Sequence, residues 1–407
     1  MSSPPSVMLN PFEPGYFEDP YPQYRLLREQ DPVHRSPIGP VALFRYDDVY
    51  AVLRNPGLSV DERNATPLPL DAEVAALLEG RDNLGELTML NLDPPDHDRL
   101  RRLVSKVFTP RTIERLRPRV AQLVDEALVE VAARGDEMDV IADLAFPLPF
   151  QVISEMLGMP EGDRVELRGW SHTMTKTLDP VIDVDDVRAA GIAAEAMVGH
   201  VRDAVVWKRA HPAGDLLSAL IAAEDSGDVL SEDELIAQVV LLYIAGHETT
   251  VNLIGNGTLA LLRHPDQLAR LRGDPSLDVN AIDELLRFDS PVQFSRRITL
   301  ADCEIAGVAV PAHTILMTCL ASANRDPHKW GPTADDVDLG RAGAAQHVSF
   351  GSGVHHCLGA ALARLEGQEA IPALIRRFPR LALSESPVWN NRIVLRGLDR
   401  LRVAFDA

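Results

Sequence analysis

Cysteine is scarce in this chain: three residues in 407, at Cys303, Cys319 and Cys357. They form no disulfide pattern, which fits a reducing cytoplasm. Positive charge is in deficit, with 40 Lys and Arg against 60 Asp and Glu and a net charge of −20. That argues against a nucleic-acid binder. No run approaches the roughly 18 uninterrupted apolar residues of a membrane span. The opening Met1-Ser-Ser-Pro-Pro-Ser has neither a basic region nor an apolar stretch, so no signal peptide is expected. There is no internal repeat and no long low-complexity linker.

What is present is enough chain for a large buried core, with 46% hydrophobic and 25% charged residues. One stretch organises it: Phe350-Gly-Ser-Gly-Val-His-His-Cys-Leu-Gly359. Gly351 and Gly353 permit a tight turn, and Gly359 leaves bare backbone beside whatever Cys357 holds. Residues 358–369 read as a helix beginning at the cysteine. A helix N-terminus favours thiolate over thiol. A single thiolate among backbone N–H groups is a good axial ligand for haem iron. A small core cysteine is the plainer alternative. Zinc is excluded by spacing: His355, His356 and Cys357 are adjacent and no second Cys or His pair stands at finger distance.

Before the loop the pattern is mainly helical. Pro22–Gln30 and Asp47–Arg54 read as short helices, with strand-like pieces between Val33 and Tyr46. Residues 55–91 read as irregular, with scattered apolar side chains; a loop that long is usually functional. A helix is expected to start at Pro94-Pro95, and it places His97 and Arg101 on one side. Apolar spacing then predicts helices over 120–134, 140–157, 163–178 and 184–209. Ser231-Glu-Asp-Glu234 is a capping box for a helix reaching Arg263, about 50 Å long at 1.5 Å per residue. Its middle, Ala245-Gly-His-Glu-Thr-Thr250, is weak for a buried helix. A thinned helix would let a flat cofactor and a small gas lie against it, and an acid beside a hydroxyl can relay protons. Pro372 should kink or end the helix after the cysteine loop.

Eight basic residues stand between Arg99 and Arg119, with Glu114 the only acid among them. This local reversal of sign reads either as a solvated face or as a surface for an acidic partner.

The ten residues ending at Gly359, continued by Ala363-Arg364, resemble the haem-binding loop of the cytochrome P450 family, and Ala245–Thr250 resembles its oxygen-activating helix. The likeness runs from about Asp19 to Phe405 and is to the bacterial soluble members. It implies one domain over 1–407, mainly α with small β-sheets, shaped like a triangular prism around a long central helix. It implies haem b, with Cys357 as the iron ligand and Ala245, Gly246, Phe350, Gly351 and Gly359 against the cofactor. His97, Arg101, Arg297 and His355 are its expected propionate partners, with Arg296 the alternative to Arg297. Thr249 is assigned to hydrogen-bonding dioxygen and Glu248 to proton delivery. Glu284-Leu-Leu-Arg287 corresponds to a buried structural pair. Pro311-Ala-His313 departs from the usual Pro-Ala-Gly turn.

The activity implied is monooxygenation of a lipophilic small molecule: a terpenoid, steroid, fatty acid or macrolide-like compound. Electrons would come from a separate ferredoxin docking at the Arg99–Arg119 region. The expected cavity is lined by parts of 68–90, including Met89 and Leu90, and by Leu178, Leu241, Leu242, Ala245, Val292, Phe294, Val394 and Leu395. A cytoplasmic monomer without membrane contact is expected. A peroxygenase and a non-catalytic haem sensor are the rival readings.

Overall fold

The computed structural model describes residues 7–37, 39–68, 72–78, 84–106, 108–159, 164–225 and 230–405. Residues 69–71 and 79–83 of the expected cavity stretch lie outside them.

Ser231 starts the longest helix as its sequence requires. Its hydroxyl accepts the Glu234 N–H at 3.2 Å, and the Glu234 carboxylate accepts the Ser231 N–H at 2.8 Å. The resulting central helix, Glu232–Arg263, runs unbroken through the glycine and threonines and stops at His264-Pro265. Both its first half, from Leu235 to Val239, and its second, from Thr250 to Leu261, are buried. A helix buried all round needs helices on every side. Pro147–Leu157, Val184–Ala210 and Ala360–Arg377 supply them. The main apolar core gathers around this helix and draws residues from Met89 to Phe405.

A five-stranded sheet stands to one side, in the order Val33–Arg35, Val41–Leu43, Ile315–Cys319, Phe294–Thr299, Leu58–Ser59. Arg296 pairs with Met317 and Arg297 with Leu316, so the two arginines leave opposite faces. Two smaller cores flank this sheet. One packs Leu43, Val49 and Leu53 on Leu316; the other gathers Tyr16, Tyr24 and Phe44 around Phe294. Near the C-terminus, Arg402–Ala404 pairs with Glu137–Asp139 and Ala382–Leu383. Among the described residues no helix is long and apolar enough to cross a membrane.

Four expectations are corrected. The 55–91 stretch contains a helix, Ala72–Leu78, made of good helix formers and packed against Val184–Ala210. The expected 140–157 helix is split into a wide turn at Ile141–Ala145 and the helix Pro147–Leu157, because Pro147 cannot donate a backbone bond. Pro372 does not end its helix, which continues to Arg377. That helix is clamped between the central helix and Arg117–Arg134, and this packing offsets the lost bond. Finally, His313 keeps the turn that glycine would make, with φ 62°, and its Nδ1 bonds the Asn64 carbonyl at 2.8 Å.

Candidate functional site

Cys357 lies in a loop held by its own backbone. Its N–H donates to the Phe350 carbonyl at 2.9 Å, and the Gly351 N–H donates to Val348 at 2.8 Å. Gly353 has φ +74°, and a Cβ there would lie 2.6 Å from the Leu53 carbonyl oxygen. Glycine is therefore required where the loop rests on the end of the Tyr46–Arg54 helix. The following helix begins at Ala360, three residues after the cysteine, rather than at Leu358. Burial pushes the Cys357 thiol pKa up, outweighing the lowering by the Gly359 and Ala360 N–H groups and by Arg101 and Arg364. The helix N-terminus thus does not alone make a thiolate. The Cys357 side chain is nevertheless open to a small probe. Phe350 packs under the loop, with the Arg364 guanidinium 4.6 Å from its ring centre.

Two arginines and two histidines collect beside this loop. Arg297 is buried, yet among the described residues its guanidinium meets only carbonyls, Arg296 O at 2.7 Å and Leu53 O at 3.2 Å. Burial lowers its pKa to about 10. Arg296, on the other face, is already paired with Glu62. Arg101 donates to the His356 carbonyl at 2.6 Å. His97 is buried, with Nδ1 on Asp98 at 2.9 Å and Nε2 lacking any partner among the described residues. Its ring centre lies 4.3 Å from that of His355. Burial first, then His97, Arg297 and Arg101, lower the His355 pKa to about 3. Without an anion beside it, His355 is thus held toward the neutral form, in which it can still donate an N–H. A dianionic group is what this set lacks, and the two haem carboxylates fit it.

On the central helix, Leu241, Ala245 and Thr249 share one face at four-residue spacing. Ala245 is exposed and its two neighbours half-buried, amid a helix otherwise sunk in the core. Thr249 Oγ1 donates back to the Ala245 carbonyl at 3.1 Å. Gly246 serves a purpose beyond the one expected. A Cβ there would lie 2.9 Å from Ile153 Cγ1, so the glycine also admits the Pro147–Leu157 helix. Glu248 accepts from Ser171 Oγ at 3.1 Å and lies 3.6 Å from His247 Nε2. Burial works to raise its pKa, but His247, His172 and Arg392 together hold it below the ordinary carboxylate value. Thr250 is buried beside Glu366, whose burial holds its carboxyl well above the carboxylate range.

The expected cavity residues divide. Leu241, Val292 and Val394 are half-buried, and Leu90 and Leu178 are exposed. Met89, Leu242 and Leu395 are buried. Phe294 is buried too, with its ring edge-on to Tyr24, 5.8 Å away. Glu284 and Arg287 are fully buried and doubly bonded, at 2.7 and 2.9 Å, with Arg341 as a third member. In the basic row, Arg99 pairs with Glu234, Arg117 with Glu114 and Glu369, and Arg119 with Glu155. Arg102, Lys106, Arg111 and Arg115 are exposed and have no ion pair among the described residues.

Ser171, His172 and Arg392 were not legible as site residues. They stand 77, 76 and 144 positions from Glu248 in the chain, and no local motif marks them.

The family described as cytochrome P450 matches residues 196–274 and 277–394. The vitamin D(3) 25-hydroxylase of Pseudonocardia autotrophica is 42% identical over 404 residues, covering 97% of this chain and 96% of the relative. The 6-deoxyerythronolide B hydroxylase of Saccharopolyspora erythraea is 40% identical over 408 residues, covering 96% of this chain and 97% of the relative. A myxobacterial cytochrome P450 crystallised with myristic acid superposes with a TM-score of 0.88 at 38% identity, over 97% of this chain and 98% of that one.

Proposed function

Because the chain belongs to the cytochrome P450 family of monooxygenases, we propose that it oxidises a lipophilic small molecule using haem b held by Cys357. The observation that carries this is the accessible Cys357 sulphur in its glycine loop, beside buried Arg297, which meets only carbonyls among the described residues, and the partnerless Nε2 of His97. Arg297, Arg101 and the Nε2 of His97 would take the propionates, with His355 adding an N–H. The Leu241–Ala245–Thr249 face would form the opposite wall. Bound haem supplies dioxygen activation and insertion of one oxygen atom into a C–H or C=C bond.

The protein's part is to orient, exclude water and deliver protons. Overall, substrate and dioxygen take two electrons and two protons to give oxygenated product and water. Thr249 offers a hydroxyl on the open face, and Glu248 stands next to it as the acid. Half-buried Leu241, Val292 and Val394 give an apolar cavity wall. This supports a lipophilic substrate of the sort that the relatives' names carry: vitamin D(3), 6-deoxyerythronolide B or myristic acid. The chain reads as one domain and as a cytoplasmic monomer.

Electrons would come from a ferredoxin. The unpaired Arg102, Lys106, Arg111 and Arg115 form a positive face suited to an acidic donor. Substrate-dependent consumption of oxygen and NAD(P)H with ferredoxin and its reductase tests the reading. Thr249→Ala should keep oxygen uptake while product falls and peroxide rises. Unchanged product would remove Thr249 from the mechanism, and equally fast turnover with hydrogen peroxide alone would make the protein a peroxygenase.

A further inference from the structure

Glu248 is one end of a three-residue chain of hydrogen bonds. His247 Nδ1 lies 2.7 Å from the Tyr243 carbonyl oxygen. A carbonyl only accepts, so Nδ1 carries the hydrogen. The other ring nitrogen, Nε2, lies 2.9 Å from Ser171 Oγ, and Oγ lies 3.1 Å from Glu248 Oε1. Ser171 and His247 are both fully buried.

A hydroxyl has one hydrogen to give. If it points at Nε2, then Glu248 must bring its own hydrogen to bond Oγ. If it points at Oε1, then Nε2 must bring one. The two satisfied states hold the same number of protons: neutral imidazole with carboxylic acid, or imidazolium with carboxylate. They interconvert through the serine. The Nε2–H bond breaks as a new Oγ–H forms, and the old Oγ–H breaks as Oε1–H forms, with no change in electron count. With one proton fewer, one of the two contacts sets lone pair against lone pair.

We propose that Ser171 and His247 are positioning residues that keep one shared proton beside the reaction site, stored on His247, passed by Ser171 and released by Glu248. This rests on the reading of Glu248 as the proton donor. His172 and Arg392 face Glu248 and help hold its carboxyl ionised. Arg392 is itself fixed by Thr175 Oγ1 at 2.8 Å and the His172 carbonyl at 2.7 Å, with Asp179 and Asp399 nearby. Burial, with Arg392 and Arg168, lowers the His172 pKa, and Glu248 and Asp399 oppose that shift. Around the imidazole itself stand the rings of Phe146, Phe150 and Tyr243, at 5.8, 5.7 and 6.0 Å. Ser171 belongs to the Arg164–Thr175 helix, so the store is complete only while that helix is seated on the central one.

The test uses the haem-loaded enzyme and four variants: Ser171→Ala, Ser171→Thr, His247→Phe and Glu248→Gln. Two readouts are taken, the titration of His247 by isotope-edited infrared spectroscopy at rest, and product formed per oxygen consumed across pH. In Ser171→Ala the His247 midpoint should move down by about one pH unit, because the imidazolium loses its acceptor. The alkaline limb of the product yield should move the same way, and Ser171→Thr should restore both. His247→Phe should lose about tenfold in yield at neutral pH, less than the roughly hundredfold or more that a full proton-delivery group contributes. A merely structural Ser171 would lower yield without moving either midpoint, and that result overturns the proposal. If Glu248→Gln is impaired while Ser171→Ala and His247→Phe match the parent, the store fails alone. If Glu248→Gln keeps full yield, the donor reading itself fails and takes the store with it.

Discussion

Replacing Arg297 by Met removes a buried cation whose nearest oxygens are carbonyls at 2.7 and 3.2 Å. The fall of its pKa from the ordinary value to about 10 corresponds to about 3 kcal/mol of uncompensated desolvation at about 1.4 kcal/mol per pH unit. In the haem-free protein that cost is borne without return, so Arg297→Met should leave stability unchanged or raise it. In the loaded protein a propionate would repay the cost, so the same change should weaken haem binding by about 3 kcal/mol, or about a hundredfold. The opposite signs are the diagnostic feature. Thermal unfolding of the haem-free form gives the first quantity, and haem transfer to an excess of a haem-scavenging globin gives the second. Arg296→Met is the control, because that side chain is committed to Glu62; its haem affinity should stay within about twofold. Undiminished haem affinity in Arg297→Met, or a larger loss in Arg296→Met, would refute the reasoning.

Glu284→Ala leaves Arg287 and Arg341 buried without their carboxylate; unfolding experiments should show a loss of about 3–5 kcal/mol, and a loss under about 1 kcal/mol would contradict it. Gly246→Ala should cost about 1–3 kcal/mol through the Ile153 contact, and Ile153→Ala should recover part of that in the double variant. Glu366 binds its proton more tightly folded than unfolded. Above the unfolded carboxyl's ordinary value the unfolded chain therefore releases a proton that the folded one keeps, and stability falls as pH rises. Relative to Glu366→Gln, the parent should lose about 1.4 kcal/mol per pH unit until the folded group also ionises; parallel stability curves would show Glu366 to be ionised when folded.

How much could be read in advance depended on whether the cause was local. The Cys357 loop, the Ser231 cap and the Glu284–Arg287 pair are short-range patterns, and each stands where the sequence put it. Gly246 was legible as a missing side chain, but what fills the gap, Ile153, lies 93 residues away and gives no local sign. The choice between Arg296 and Arg297 needed strand pairing, since alternation sends adjacent side chains to opposite faces and only one face holds Glu62. Pro372 misled because its intrinsic preference is outweighed by packing on both sides. Burial pushes the Cys357 thiol up and the His355 imidazole down, shifts that no local pattern announces because desolvation depends on the whole fold.

The central claim is that the Cys357 sulphur ligates haem iron. Its most direct test is the absorption spectrum of the reduced, carbon-monoxide-treated protein beside that of Cys357→His. The parent should show the red-shifted band of a thiolate-ligated ferrous carbonyl, and the variant should show the band of a histidine-ligated one. A parent spectrum without the thiolate band, or a variant that keeps it, would contradict the account.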